Sequence, residues 1–276
     1  YKPLSMRKIE SIPELREHLD RVRRSGRRIG FVPTMGAIHE GHRSLMRAGR
    51  AECEELVVSI FVNPTQFGPG EDYEKYPRPL DQDLAACQAE GVDTAFCPSA
   101  TAMYPAGSVT RVTVSGLTER LCGALRPGHF DGVTTVVAKL FNLVQPDIAC
   151  FGQKDAQQAA VIRRMVRDLM WPVKIVVCPT IREADGLAMS SRNAYLTPRQ
   201  RQQARCLYAA LEYARKQINA GQSDTCGIVK AMRRQIEAAG PCTIDYIEIA
   251  DAQDLTPRAK IQGQCLIALA VRIGEC

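Results

Sequence analysis

Along the first two thirds of the chain, short apolar or β-branched runs alternate with amphipathic segments of helical period. IGFVPT (29–34) predicts a strand and residues 42–54 a helix. LVVSIFVN (56–63) is almost continuously apolar, as expected of a strand covered on both faces. Residues 80–90 read as a helix, DTAFCPS (93–99) as a strand, TRVTVSG (110–116) as a further short strand and residues 131–144 as a helix. DIACFG (147–152), a helix over 155–169 and VKIVVCPT (173–180) complete the series. This alternation predicts an α/β fold, a Rossmann-like parallel sheet with helices on both faces. PTMG, NPTQFG, FGQKD and PTIRE each follow a predicted strand directly. Ligands on such sheets collect at the carboxyl ends of the strands, so these loops are expected to converge on one cleft.

The pattern changes after about residue 180. Thr197 as cap and Pro198 at the first helical position predict a long helix, followed by a second over 223–239. TIDYIEIAD (243–251) and QCLIALAVRIG (264–274) read as strands separated by a polar linker. The expected division is a Rossmann-like domain over 1–180 and a smaller α+β domain over 181–276.

Composition narrows the class. The 276 residues suffice for one large domain or two moderate ones, and the net charge of +6 suits anionic substrates without implying nucleic acid. The arginines at 21, 23, 24, 27 and 28 read as a solvated helix end and turn, because no aromatic residues interleave with them. Eleven cysteines, an odd number with no C-x-x-C pair, are expected to be reduced thiols in a cytoplasmic protein. No apolar stretch reaches the roughly 20 residues of a membrane span, and no signal peptide opens the chain. The chain opens on Tyr1 rather than Met, so a few upstream residues are expected.

Three segments carry candidate chemistry. In PTMGAIHEGHRSLM, His39 and His42 flank Gly41 at a predicted strand–turn–helix junction. Backbone N–H groups and the dipole at such a helix start favour an anion, and two imidazoles there can stabilise charge on a departing pyrophosphate. In AMSSRN, Met189 precedes Ser190, Ser191 and Arg192, whose hydroxyls and guanidinium offer several donors to phosphate oxygens. In FGQKDAQQ, Lys154 opens a predicted helix within reach of a phosphate, and Asp155 is a reasonable cap for that helix.

H-x-G-H after the first strand is the signature of the nucleotidyltransferase superfamily. HEGH, FVNPTQF, YPR, RPGHFDGV, GQKD-x-QQ and MSSRN, in this order and spacing, resemble the pantothenate synthetase family over nearly the whole chain. The resemblance implies an ATP- and Mg²⁺-dependent ligase joining pantoate to β-alanine through a pantoyl adenylate, with release of AMP and pyrophosphate. It implies a homodimer whose smaller C-terminal domain, carrying the MSSR loop, acts as a lid. By motif it assigns ATP binding to Met35, Gly36, His39, His42, Gly152, Lys154, Asp155, Ile181, Met189, Ser190, Ser191 and Arg192. Catalytic roles would fall to His39, His42, Lys154, Ser190, Ser191 and Arg192, with His42 at the position of a proton donor. Gln66 and Gln158 match pantoate-holding residues, and Asn63, Tyr76, Arg126 and His129 match positions near the substrate cleft. Gln153 stands where many relatives carry Glu, and the chain stops at IGEC, short of most relatives. Metal ligands are not evident; Asp81 and Asp83 read equally well as metal neighbours or as a solvated helix start. Another acceptor of nucleotidyl transfer or a tRNA-synthetase-like enzyme is one alternative, and it explains neither NPTQF nor KD-x-QQ. A nucleotide-binding module without turnover is the other, against which the intact histidines, lysine and Ser-Ser-Arg loop argue.

Overall fold

The computed structural model describes residues 6–274, and the strand–helix alternation closes there into a six-stranded parallel sheet. In chain order the elements are β1 (Arg7–Ile9), α1 (Ile12–Arg24), β2 (Ile29–Thr34), α2 (Glu40–Arg50), β3 (Glu55–Ile60), α3 (Leu80–Ala89) and β4 (Thr94–Phe96). Then follow α4 (Ala100–Met103), α5 (Leu121–Leu125), α6 (His129–Val144), β5 (Ile148–Gly152), α7 (Ala156–Asp168) and β6 (Lys174–Cys178). The strand order is β1-β4-β3-β2-β5-β6, every pair parallel.

Both faces of the sheet are covered. Phe31 on β2 meets Phe141 of α6 edge-on at 6.2 Å, and Phe141 also meets Phe151 and Trp171. On the other face Val32, Val58, Ile148 and Cys150 pack with Leu45 and Met46 of α2. Burial on both faces explains why β2, β3 and β5 are continuously apolar rather than alternating. Helix α6 buries residues around most of its circumference, the pattern of a helix enclosed by neighbours.

The chain divides into two compact units: residues up to 115 with 127–180, and residues 116–126 with 181 onward. The 116–126 segment, which a linear boundary at 180 assigns to the first domain, thus groups with the second unit. There α8 (Pro198–Asn219) and α9 (Thr225–Glu237) precede the antiparallel pair β7 (Thr243–Asp251) and β8 (Cys265–Arg272). Ala210, Ala214, Ile228, Met232 and Ile236 from the helices pack on Ile247 and Ile249. Thr197 and Gln200 cap α8 reciprocally, with Pro198 at its start. Beyond β8, Ile273 is buried with Leu187 and Ala204.

Several expectations change. Residues 110–116 form no strand. The Val112 N–H donates to Thr135 Oγ1 and its carbonyl accepts from Thr134 Oγ1, so hydroxyls of α6 replace a strand partner. β1 escaped notice because three residues carry no measurable period. Helix α2 begins at Glu40, not His42, with His39 as its N-cap residue. Asp155 is the N-cap residue of α7, yet its side chain makes no capping bond. Among the described residues no helix is long and apolar enough to cross a membrane.

Candidate active site

The strand order places a switch point between β2 and β5. From β2 the chain proceeds through β3 and β4 to one side, and from β5 through β6 to the other. A crevice opens at the carboxyl ends of strands where the winding reverses, which is where open α/β sheets hold ligands. The His39–His42 segment leaves β2 on one side of that point, and Gly152–Asp155 leaves β5 on the other.

The turn into α2 is held from below. Gly36 and Ala37 both have positive φ (84° and 49°), and the Asp83 carboxylate accepts from the backbone N–H of Ala37 at 2.9 Å and of Ile38 at 2.7 Å. Gly36 is required twice over, since a Cβ there would also sit 2.7 Å from Asp83 Oδ2. Asp83 is 2% exposed, and burial raises its pKa while the two backbone bonds oppose that rise. Its carboxylate therefore occupies the backbone nest that the glycine-containing turn offers to an anion, and Asp83 is neither a solvated helix start nor open to a metal.

The first turn of α2 is satisfied in the same self-contained way. The Gly41 N–H donates to His39 Nδ1 at 3.1 Å and the His39 N–H to His42 Nδ1 at 3.4 Å. An Nδ1 that accepts leaves the proton of a neutral imidazole on Nε2, so both rings present an Nε2–H donor. The rings lie 4.1 Å apart. The His42 pKa is pushed down to about 3, chiefly by burial and then by His39, with Lys154 adding to the fall and Asp155 opposing it. This helix start thus carries two imidazole Nε2–H donors beside its backbone N–H groups. Lys154 and Asp155 follow β5, half-exposed or more, with Nζ 3.5 Å from Asp155 Oδ1.

A second cluster lies behind the loop after β3. The Asn63 Nδ2 donates to Gln66 Oε1 and to the Gly132 carbonyl, both at 3.1 Å. Its Oδ1 accepts from Tyr104 Oη at 2.8 Å and Thr65 Oγ1 at 3.0 Å. Gln66 Nε2 reaches Met35 Sδ, and His129 Nδ1 donates to the Gln66 carbonyl at 2.7 Å. Asn63, 1% exposed, spends its amide inside the protein and orients Gln66. Tyr76 is buried against Phe67. On α7 Gln157 is buried and Gln158 half-exposed. Tyr104 had no motif to mark it; Thr65 and Gly132 lie inside NPTQF and RPGHFDGV, but only the fold shows the part that they and Asp83 play.

The remaining candidates belong to the second unit. Arg126 ends α5. Ile181 and Met189 face each other across a hairpin, the Met189 N–H donating to the Ile181 carbonyl at 3.0 Å. Ser190 Oγ accepts from the Arg192 N–H at 3.2 Å and opens the turn Ser191–Tyr195.

These features match known proteins along the whole chain. The family profile described as pantoate-beta-alanine ligase covers residues 7–276. The pantothenate synthetase of Heliobacterium modesticaldum is 56% identical over 98% of this chain and 96% of its own. The crystal structure of pantothenate synthetase from Thermus thermophilus superposes with a TM-score of 0.93 at 47% identity, over 98% of this chain and 96% of that one. The pantoate-beta-alanine ligase of Francisella tularensis, crystallised with β-γ ATP and β-alanine, gives a TM-score of 0.82 at 35% identity, over 98% and 94% of the two chains. Motifs, strand order and relatives agree, and the chain belongs to the pantoate–β-alanine ligase family, the pantothenate synthetases.

Proposed function

We propose that this enzyme, whose family joins pantoate to β-alanine, does so through a pantoyl adenylate made from ATP, with His39, His42 and Lys154 serving the first half-reaction. The supporting observation is their position on either side of the β2/β5 switch point, where His42 feels the charge of both Lys154 and Asp155. ATP and β-alanine accompany the Francisella tularensis relative, which favours the same substrates here.

In the first step a pantoate carboxylate oxygen attacks the α-phosphorus, the bond to the β-phosphate oxygen breaks, and pyrophosphate leaves. Nε2–H of His39 and His42, the Lys154 ammonium and the Ser190–Arg192 donors would share the charge that moves to the leaving group. A neutral His42 would stabilise the leaving group by donating a hydrogen bond from Nε2, at the position the family resemblance gives to a proton donor. In the second step the neutral amine of β-alanine attacks the acyl carbon, the C–O bond to AMP breaks, and the amine's extra proton passes to solvent. Gln66, oriented by Asn63, and Gln158 would hold pantoate, with Tyr76, Arg126 and His129 nearby; Met35, Gly36, Gly152, Asp155, Ile181 and Met189 would line the ATP site. Holding both reactants in attack geometry supplies much of the acceleration, and closure of the C-terminal unit would shield the adenylate from water.

Among the described residues no group of three or more His, Cys, Asp or Glu could hold a metal, and Asp83 spends its carboxylate on backbone N–H groups. Mg²⁺, which the family resemblance implies, would accompany the ATP phosphates and help neutralise their charge. A cytoplasmic location fits the ten described cysteines, all free thiols. Homodimer formation belongs to the same proposal and rests on the family resemblance.

The test is pyrophosphate release from ATP with pantoate, with and without β-alanine. Pantoate-dependent release, with AMP and pantothenate appearing only once β-alanine is added, establishes both half-reactions. Folded protein that binds ATP but releases no pyrophosphate with pantoate would refute the adenylate route.

A further inference from the structure

Glu183 stands at the centre of a network that brackets the Ser190–Arg192 loop at both ends. Residues 181–189 form a short hairpin: Met189 N–H donates to Ile181 O at 3.0 Å, and Glu183 N–H to Leu187 O at 2.8 Å. From that hairpin the Glu183 carboxylate receives Arg201, with Nη1 on Oε1 at 3.1 Å and Nη2 on Oε2 at 2.8 Å. Arg201 Nη2 also reaches Asp185 Oδ2 at 3.0 Å. Glu183 Oε1 accepts in addition from Asn193 Nδ2 at 3.2 Å, and that same nitrogen donates to the Ala188 carbonyl at 3.0 Å. Ala188 lies two residues before Ser190, and Asn193 directly follows Arg192.

We infer that Arg201 is a positioning residue for adenylate formation, fixing the geometry of the Ser190–Arg192 loop through Glu183 and Asn193. The inference rests on the loop's proposed role toward the ATP phosphates. Arg201 lies in the first turn of α8. Its guanidinium fork bonds both oxygens of Glu183 and so sets the carboxylate plane, which sets where Asn193 can stand. Asn193 in turn ties the chain just after Arg192 to the backbone before Ser190, leaving the loop between two fixed points. Removing the fork leaves Glu183 and Asp185 as neighbouring like charges without their shared cation, and the hairpin would open. The three side chains are about 30% exposed (Arg201 30%, Glu183 32%, Asp185 26%), too exposed for the network to dominate folding and sheltered enough to fix a loop.

The experiment compares pantoate-dependent pyrophosphate release at varied ATP for Arg201→Met, Arg201→Lys, Arg192→Ala and the Arg201→Met/Arg192→Ala pair in the full chain. Arg215→Ala serves as control, because Arg215 pairs with Glu212 on the same helix, away from the loop. Arg201→Met should lower kcat/KM for ATP about 100-fold, as a small misplacement of charge-stabilising groups does. Arg201→Lys should recover part of this by keeping the charge without the fork. In the Arg192→Ala background the Arg201→Met change should cost no more than about 3-fold, since coupled residues are not additive. Should Arg201→Met not fold, Glu183→Gln carries the same comparison. Wild-type kcat/KM in Arg201→Met, or a loss that multiplies in full with that of Arg192→Ala, would overturn the positioning role alone. A fully active Arg192→Ala enzyme would overturn the loop's role and the inference with it.

Discussion

His39 and His42 cap each other at the start of α2, the His39 backbone N–H donating to His42 Nδ1 at 3.4 Å with the rings 4.1 Å apart. The bond has a structural and a chemical consequence. It completes the first helical turn, and it directs the remaining N–H of each neutral ring away from the helix start. Replacing His42 by Ala should therefore cost about 1 kcal/mol of stability through the lost cap and about 100-fold in kcat for pyrophosphate release. His42→Asn can restore the cap without the Nε2–H donor. A His42→Asn enzyme with wild-type melting and wild-type kcat would show that the donor has no catalytic part.

The depressed pKa of His42 sets a pH dependence with a definite sign. Its folded value of about 3 lies below the ordinary 6.5, so the unfolded chain takes up this proton first. The stability linked to His42 is complete above pH 6.5 and is lost as the pH falls from there toward 3. Denaturant melts between about pH 4 and 8 should show a steeper loss on the acid side for the wild type than for His42→Asn. An identical pH dependence would mean that His42 titrates near its ordinary value.

Asp83 holds two backbone N–H groups next to a turn with two positive-φ residues. Asp83→Ala would leave the Ala37 and Ile38 N–H groups without their acceptor, at a cost of about 1–3 kcal/mol each if water does not enter. The turn carries His39, so kcat/KM for ATP should fall about 10- to 100-fold. Asp83→Asn, which retains one acceptor, should lie between the two. If Asp83→Ala changed only the Mg²⁺ concentration needed for half-activity, the carboxylate would instead be acting on the metal.

Gly132 is a close-contact position. A Cβ there would lie 2.3 Å from the Thr65 carbonyl oxygen and 2.6 Å from Gln66 Cα. Both contacts are backbone and cannot rotate away, so Gly132→Ala must displace the turn Pro64–Gln66 or α6. We expect a loss of about 2 kcal/mol in chemical melts together with a raised KM for pantoate and a smaller change in KM for ATP. Equal changes in both constants would place Gln66 outside the pantoate site.

Much of this protein was written locally. Alternation of apolar runs with helical periods marked β2, β3, β5, β6 and their helices, because covered strands have no polar face to interrupt them. Thr197 as cap with Pro198 behind it marked α8, and HEGH, QKD and MSSRN marked the candidate chemistry, because these depend on neighbours a few residues away. What the sequence could not express was pairing across distance. Residues 110–116 have the period of a strand, yet Thr134 and Thr135 satisfy the backbone of Val112 from a helix further along the chain. Asp83 read equally well as a metal neighbour or a solvated helix start until the fold set its carboxylate against the Ala37 and Ile38 N–H groups. Most of all, the order β3-β2-β5 decides that the His39–His42 and Lys154 loops flank one crevice. Hydrophobic period specifies that a strand is buried but is the same for every buried strand, so only packing in three dimensions selects its neighbour.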